Sequence, residues 1–338
     1  MWYLALPSQA LRRGAMQGKV FMDRPVVLAR DQAGALFAMT DLCPHRGIPL
    51  SAGKFDGDQF RCAFHGWRFG VDGVCRAIPS LLPDQKIDLS RIKVRTYPCR
   101  ESQGNIWIYL SEAQPAPDAD LGSPFVIPEI GDIAPRVCTR LVFATDLDSA
   151  VYTLLDPAHT PYIHEGPLWR KSVNLGEKKK DFVPSPLGFT MQRHEPGANT
   201  FIYKLLGGRP TTEIRFLLPG VRLEHIRIGR HHICNFTAAT PIDAVQTEVT
   251  NLLYWTNPRL NLLTPFISRL ARKFLGEDQW ASPLRSRTGV ANAPSMMIND
   301  ADVPQKWYLR LKREWQRQQR EGGEFVNPVQ AATLRWRT

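Results

Sequence analysis

The first residues along the chain able to do chemistry are two Cys-His pairs, Cys43-x-His45 and Cys62-x-x-His65, with sixteen residues between them. Two thiolates and two imidazoles suit either a tetrahedral zinc site or a two-iron, two-sulfide cluster in which one iron takes both cysteines and the other both histidines. A common zinc layout closes one end with two cysteines and the other with two histidines. Here each short loop carries one of each, an interleaving that suits two irons side by side, each taking one ligand from each loop. The residues around the pairs, Pro44, Gly47, Pro49, Gly53 and Gly66, are loop formers.

A second constellation lies in TLLDPAHTPYIHEG, which holds Asp156, His159 and His164. Asp156 precedes Pro157, so the backbone there is pushed out of helical geometry, and the aspartate can cap a new turn. On an unbroken helix, histidines five apart would splay about 140° around the axis, but Pro161 between them argues for a loosened backbone that lets both imidazoles converge on one ion. The bland reading is a pair of structural histidines. Two histidines and one carboxylate with open positions form the site type that suits ferrous iron and dioxygen. For the third ligand, FLGEDQW offers Glu277 and Asp278, and INDADVP offers Asp300 and Asp302.

CPHRG followed by CAFHGW resembles the Rieske clusters of ring-hydroxylating oxygenases and related ferredoxins. Respiratory Rieske proteins add a cysteine to each loop and join the two in a disulfide; Ile48 and Phe64 stand in those places here. The resemblance implies a [2Fe-2S] Rieske cluster on Cys43, His45, Cys62 and His65. The downstream motif resembles the family's DxxHxxxxH element, which implies a mononuclear Fe(II) held by His159, His164 and, by the acidic pair of the shorter members, Asp278. It also implies that Asp156 bridges His159 to a cluster histidine of a neighbouring chain in a head-to-tail homotrimer, against the simpler role of capping the turn at Pro157. Related demethylases carry an asparagine where this chain has Thr153. By length the chain resembles the vanillate and dicamba O-demethylases and the phenoxybenzoate and carbazole dioxygenases more than the longer naphthalene type.

The family implies a terminal oxygenase component. It would take electrons from an NAD(P)H-dependent reductase, with or without a ferredoxin, and use dioxygen to hydroxylate or oxidatively demethylate an aromatic compound. Ring cis-dihydroxylation by the same machinery is the alternative within the family, and a Rieske electron carrier fused to a small-molecule-binding domain is the alternative of another class.

The elements that must position these residues form an α+β chain. Residues 1–112 read as a small all-β domain with the cluster loops at its tip. It includes a hairpin turning at Asp31-Gln32-Ala33-Gly34, a strand at Lys93–Tyr97 and another at Asn105–Tyr109. Residues 113–135, rich in Pro, Ala, Asp and Gly, read as the connection. In residues 136–338, strands at Thr139–Thr145 and between Phe189 and Trp255, a helix at Ser149–Leu155 and two closing helical tracts make a catalytic domain. The last tract stripes Val303, Trp307, Leu311 and Trp315 on one face. The family implies the helix-grip arrangement for this half, an antiparallel sheet wrapped over a long helix.

With 338 residues and 43% hydrophobic content the chain can bury a large core. No apolar run approaches a membrane span and the start lacks the pattern of a secretory signal. Six cysteines without tight spacing imply no disulfide framework. A cytoplasmic protein is the expectation. The net charge of +11 would steer an acidic partner, but basic residues such as Lys178, Lys179 and Lys180 read as solvated surface, with no nucleic-acid motif beside them. Neither a GxGxxG fingerprint nor a phosphate loop is present, so nicotinamide is not expected to bind this chain directly.

Overall fold

The computed structural model describes residues 1–116, 119–164, 176–196, 208–284 and 296–338. The chain divides into two compact units, Met1–Val126 and Ile127–Thr338, parting within the proline-rich segment.

The first unit contains β1 (Trp2–Pro7), β2 (Met16–Phe21), β3 (Arg24–Arg30), β4 (Leu36–Thr40), β5 (Lys54–Phe55), β6 (Gln59–Arg61), β7 (Arg68–Gly70), β8 (Cys75–Ala77), β9 (Cys99–Ser102) and β10 (Asn105–Tyr109). They form three antiparallel sheets, β1-β10-β9, β2-β3-β4 and β5-β6-β7-β8. The β3–β4 hairpin closes where expected, because the Asp31 carboxylate accepts the N–H groups of Gly34 and Ala35 at 2.6 and 2.7 Å and Gly34 supplies a φ of +105°. Alternation along β3 sends Val26 and Leu28 into one core and Val27 and Ala29 into another. The second core also holds Phe60, Phe69 and both cluster cysteines. Each wholly buried phenylalanine there contributes roughly 1.5–3 kcal/mol relative to exposure. The expected strand at Lys93–Tyr97 is not formed: Lys93 and Thr96 make only isolated bridges, to Val74 and Met39. An apolar-polar alternation fixes which side chains turn inward but not whether a neighbour offers a continuous ladder.

The second unit contains β11 (Val137–Phe143), α1 (Leu147–Leu155), α2 (Thr160–Ile163), β12 (Glu177–Ser185), β13 (Gly188–His194), β14 (Pro210–Leu217), β15 (Val221–Ile228), β16 (His231–Pro241), β17 (Thr247–Trp255), α3 (Thr264–Ala281), α4 (Val303–Glu321) and β18 (Ala332–Arg337). Eight strands form one antiparallel sheet, β11-β17-β16-β15-β14-β13-β12-β18, the helix-grip arrangement. Within the expected run from Phe189 to Trp255, residues 197–207 lie outside the described part. The chain ends on a strand rather than on a helical tract. Lys178–Lys180, expected on a solvated surface, lie in β12, which pairs with that last strand; alternation leaves Lys178 and Lys180 half-buried and Lys179 exposed. Helix α4 lays its stripe on the sheet, where Trp307 meets Phe182 and Phe189 edge-on at 5.5 and 5.1 Å. The Asp148 carboxylate ties it to α1, accepting from the Tyr308 hydroxyl at 2.6 Å and from Lys312 at 2.6 and 2.7 Å.

Candidate metal centres

The two cluster loops are built alike. Cys43 N–H donates to the Ile48 carbonyl at 2.8 Å and Gly47 N–H to that of Cys43 at 2.8 Å. In the second loop Cys62 N–H donates to Trp67 at 2.8 Å and Gly66 N–H to Cys62 at 3.1 Å. Gly47 and Gly66 turn each loop with φ of +69° and +70°, a region L side chains avoid. Cys43 and Cys62 sit side by side inside the core at 2% and 3% exposure. Burial first, then the neighbouring Cys62, pushes the Cys43 thiol up to about 11. The histidines lie further out, His45 half-buried and His65 exposed, with ring centroids 4.7 Å apart. Trp67 stacks on His45 at 4.7 Å and 5°. Two inner thiols and two outer imidazoles fit a cluster with one cysteine-held and one histidine-held iron. All six cysteines are free, and with Ile48 and Phe64 in the loops no disulfide joins them.

The second site forms where α1 ends. Asp156 caps that helix and its Oδ1 accepts the Ala158 N–H at 2.7 Å, after which the short helix α2 carries Pro161 in its first turn. His159 and His164 thereby converge, ring centroids 5.4 Å apart. Helix α3 supplies Asp278, 4% exposed, with Oδ1 3.6 Å from His159 Nε2 and 3.4 Å from His164 Nε2.

The far ring nitrogens are held. His159 Nδ1 lies 2.7 Å from the Asp156 carbonyl, which can only accept, so Nδ1 carries the proton and Nε2 a lone pair. His164 Nδ1 lies 2.9 Å from Glu277 Oε2, and Phe274, one turn before Asp278, stacks on His164 at 3.6 Å. The expected carboxylate support of His159 by Asp156 is thus provided within the chain by the main-chain oxygen instead, because the side chain is turned to its cap. His164 Nε2 and Asp278 Oδ1 are buried without a hydrogen-bond partner. Unpartnered polar atoms converging in a buried site fit a bound cation. Burial disfavours charge on His159, but Asp278 and then Asp156 outweigh it and raise its pKa.

The competing acids are occupied otherwise. Asp302 accepts the N–H groups of Ile298 and Asn299 in a capping box, and Asp300 accepts that of Arg335 at 2.8 Å. Thr153 donates to the Ser149 carbonyl at 3.3 Å and meets the Ser282 hydroxyl at 3.0 Å.

A cavity of about 660 Å³ opens on His159 and Asp278, with aromatic walls from Phe182, Phe189 and Phe216. A polar row crosses its sheet side, where Asn251 Nδ2 donates to Asn235 Oδ1 at 2.6 Å and Thr237 Oγ1 at 2.9 Å. Sequence reasoning missed this row. Its signal is the alternation of Asn235 and Thr237 with the buried Cys234 and Phe236 along β16.

Residues 1–98 match the family model described as the Rieske [2Fe-2S] domain. The match places a Rieske [2Fe-2S] domain in the first 98 residues. Among curated relatives it is 30% identical over 222 residues to Protein TIC 55, chloroplastic, of Arabidopsis thaliana, a match covering 65% of this chain and 39% of that protein. It is 36% identical over 121 residues to the 4beta-methylsterol monooxygenase of Methylococcus capsulatus, covering 34% and 33%. The chain thus spans well under half the length of these relatives. The fold is that of the crystal structure of dicamba monooxygenase bound to dicamba, with a TM-score of 0.68 at 21% identity over 96% of this chain and 98% of the other. No helix of the described residues is long and apolar enough to cross a membrane.

Proposed function

We propose that this Rieske-domain protein is the terminal oxygenase component of a Rieske non-haem iron system, hydroxylating or oxidatively demethylating an aromatic small molecule. The observation that carries the reading is the buried convergence of His159, His164 and Asp278, with unpaired Nε2 and Oδ1 atoms, beside an aromatic-walled cavity in a chain that also holds the Rieske loops. When bound, the cluster supplies electrons one at a time and the mononuclear ferrous ion supplies open positions for dioxygen.

The chain's own residues position and shield. The Asp156 carbonyl and Glu277 keep the Nδ1 protons in place and aim both Nε2 atoms at one point. Phe274, packed flat on His164, keeps water from that ring. Phe182, Phe189 and Phe216 offer faces and edges to a flat ring. The Asn235, Thr237 and Asn251 row offers hydrogen bonds to a substituent oxygen or nitrogen and so fixes which carbon faces the metal. A relative named for methylsterol oxidation and a structural neighbour that binds dicamba support a ring-bearing, largely apolar substrate.

Electrons come from a separate NAD(P)H-dependent reductase, with or without a ferredoxin. Three chains close head to tail, and Asp156 joins the cluster of one chain to the iron of the next. Its own-chain link to the iron is the carbonyl on His159, which leaves carboxylate Oδ2 for the neighbour's His45 or His65. Metal analysis tests the reading first: an oxygenase holds about three irons per chain, an electron carrier fused to a binding domain about two. Oxygen uptake with an added reductase against methoxylated and polycyclic aromatics then tests turnover; no substrate-dependent uptake by protein with three irons refutes the proposal.

A further inference from the structure

We propose that His225, His232 and Glu129 form a second cation site, on the face of the large sheet turned away from the cavity, which takes a divalent ion of the Zn²⁺ class. Strand alternation sets the face. Arg222 and Glu224 of β15 and Asn235 and Thr237 of β16 line the cavity, so His225 on the one strand and His232 on the other point to the opposite side. This site shares no residue with His159, His164 and Asp278.

The geometry is that of a ligand set. His225 Nε2 and His232 Nδ1 lie 2.9 Å apart, and Glu129 Oε2 is 3.6 Å from the first and 3.7 Å from the second. Tetrahedral coordination with bonds of about 2.0–2.2 Å sets ligand atoms about 3.3–3.5 Å apart, which these separations bracket. A hydrogen-bonded histidine pair explains the shortest of the three. With Oε1 of Glu129 held by Arg227, Oε2 is too far from either nitrogen for a hydrogen bond yet faces both. Glu129 reaches there from a left-handed backbone, φ +66°, which a glutamate adopts only when its surroundings hold it.

The charges around the pair are of both signs. Four ionised groups face the histidines: Arg227, paired with Glu129 through Oε1, and Arg193, 3.9 Å from Glu213, which also pairs with Arg215 at 2.6 Å. His225 is 1% exposed; burial first and Arg193 next lower its pKa to about 4, and burial likewise lowers that of His232. A neutral imidazole offers a metal its ring-nitrogen lone pair. Two imidazoles, one carboxylate and an open position are ligands that zinc accepts.

The test is calorimetric titration of the full-length, iron-loaded protein with Zn²⁺, with released iron measured in the same samples. One zinc per chain should bind without displacing iron, and His232→Gln and Glu129→Gln should each weaken it at least tenfold with iron, sulfide and cluster absorption unchanged. His232 and Glu129 are chosen because both are more exposed than His225, whose replacement could unfold the sheet. No zinc binding by the parent, zinc uptake matched by iron release, or parent-like binding in both variants overturns the proposal.

Discussion

Glu277 is the residue where the structure makes the sharpest demand, because it touches no candidate iron yet holds the imidazole that does. His164 is wholly buried and its Nδ1 has Glu277 Oε2 as partner at 2.9 Å. Partners of this kind are worth about 10–100-fold in metal affinity, or about 1.4–2.7 kcal/mol. Two variants divide that range. Glu277→Gln keeps an oxygen for the Nδ1 proton but removes the charge, and the glutamate is 22% exposed and shared with Lys273 at 3.7 Å, so a loss near tenfold is expected. Glu277→Ala leaves a buried N–H without an acceptor and frees the ring to turn, so the loss should approach a hundredfold. The assay is Fe(II) retention in dialysis against a graded chelator, with the visible cluster spectrum recorded on the same samples. Parent-like iron retention in Glu277→Ala, or a larger loss in Glu277→Gln than in Glu277→Ala, would refute the reasoning.

Four further outcomes are expected. His159→Ala and His164→Ala should each abolish product while the cluster absorption stays, since the two ligand sets belong to separate units; a bleached cluster in either counts against that. Cys43→Ser and His65→Ala should disrupt the cluster and stop reductase-driven turnover, and sustained NADH-dependent turnover without the visible spectrum would sink the electron route. Asp156→Asn preserves the cap to Ala158 and the carbonyl on His159, so both metals and the proposed trimer should survive while cluster-to-iron electron transfer is lost; parent-rate turnover or an active monomer removes the bridging role. In the Rieske unit, burial opposes charge on Glu101 but Arg30 at 2.7 Å outweighs it and holds its pKa below the ordinary value. Its stabilising contribution is full above that ordinary value and lost as pH falls through the lowered one. Denaturation across the acid range should therefore show a shallower loss for Glu101→Gln than for the parent.

The cluster loops were legible in the amino-acid sequence because everything they need is local. Cysteine, histidine and a glycine able to take positive φ stand within a few residues of one another, and turn chemistry acts at that range. The break after Leu155 was legible for the same reason, since Pro157 and Pro161 forbid a continuous helix wherever the segment lies in space. The β3–β4 hairpin followed from its strands and the Asp31–Gly34 turn, and the stripe of α4 from period. Distance along the chain marks what was not legible. The carboxylates at 277, 278, 300 and 302 differ in what α3 and the capping box do with them, and burial against two imidazoles from more than a hundred residues away singles out Asp278. The last strand, the broken ladder at Lys93–Tyr97, the polar row of Asn235, Thr237 and Asn251, and the meeting of Glu129 with His225 and His232 depend on which strands become neighbours. Local sterics decide what each segment can be, but register and packing, settled by the whole buried surface at once, decide which side chains meet.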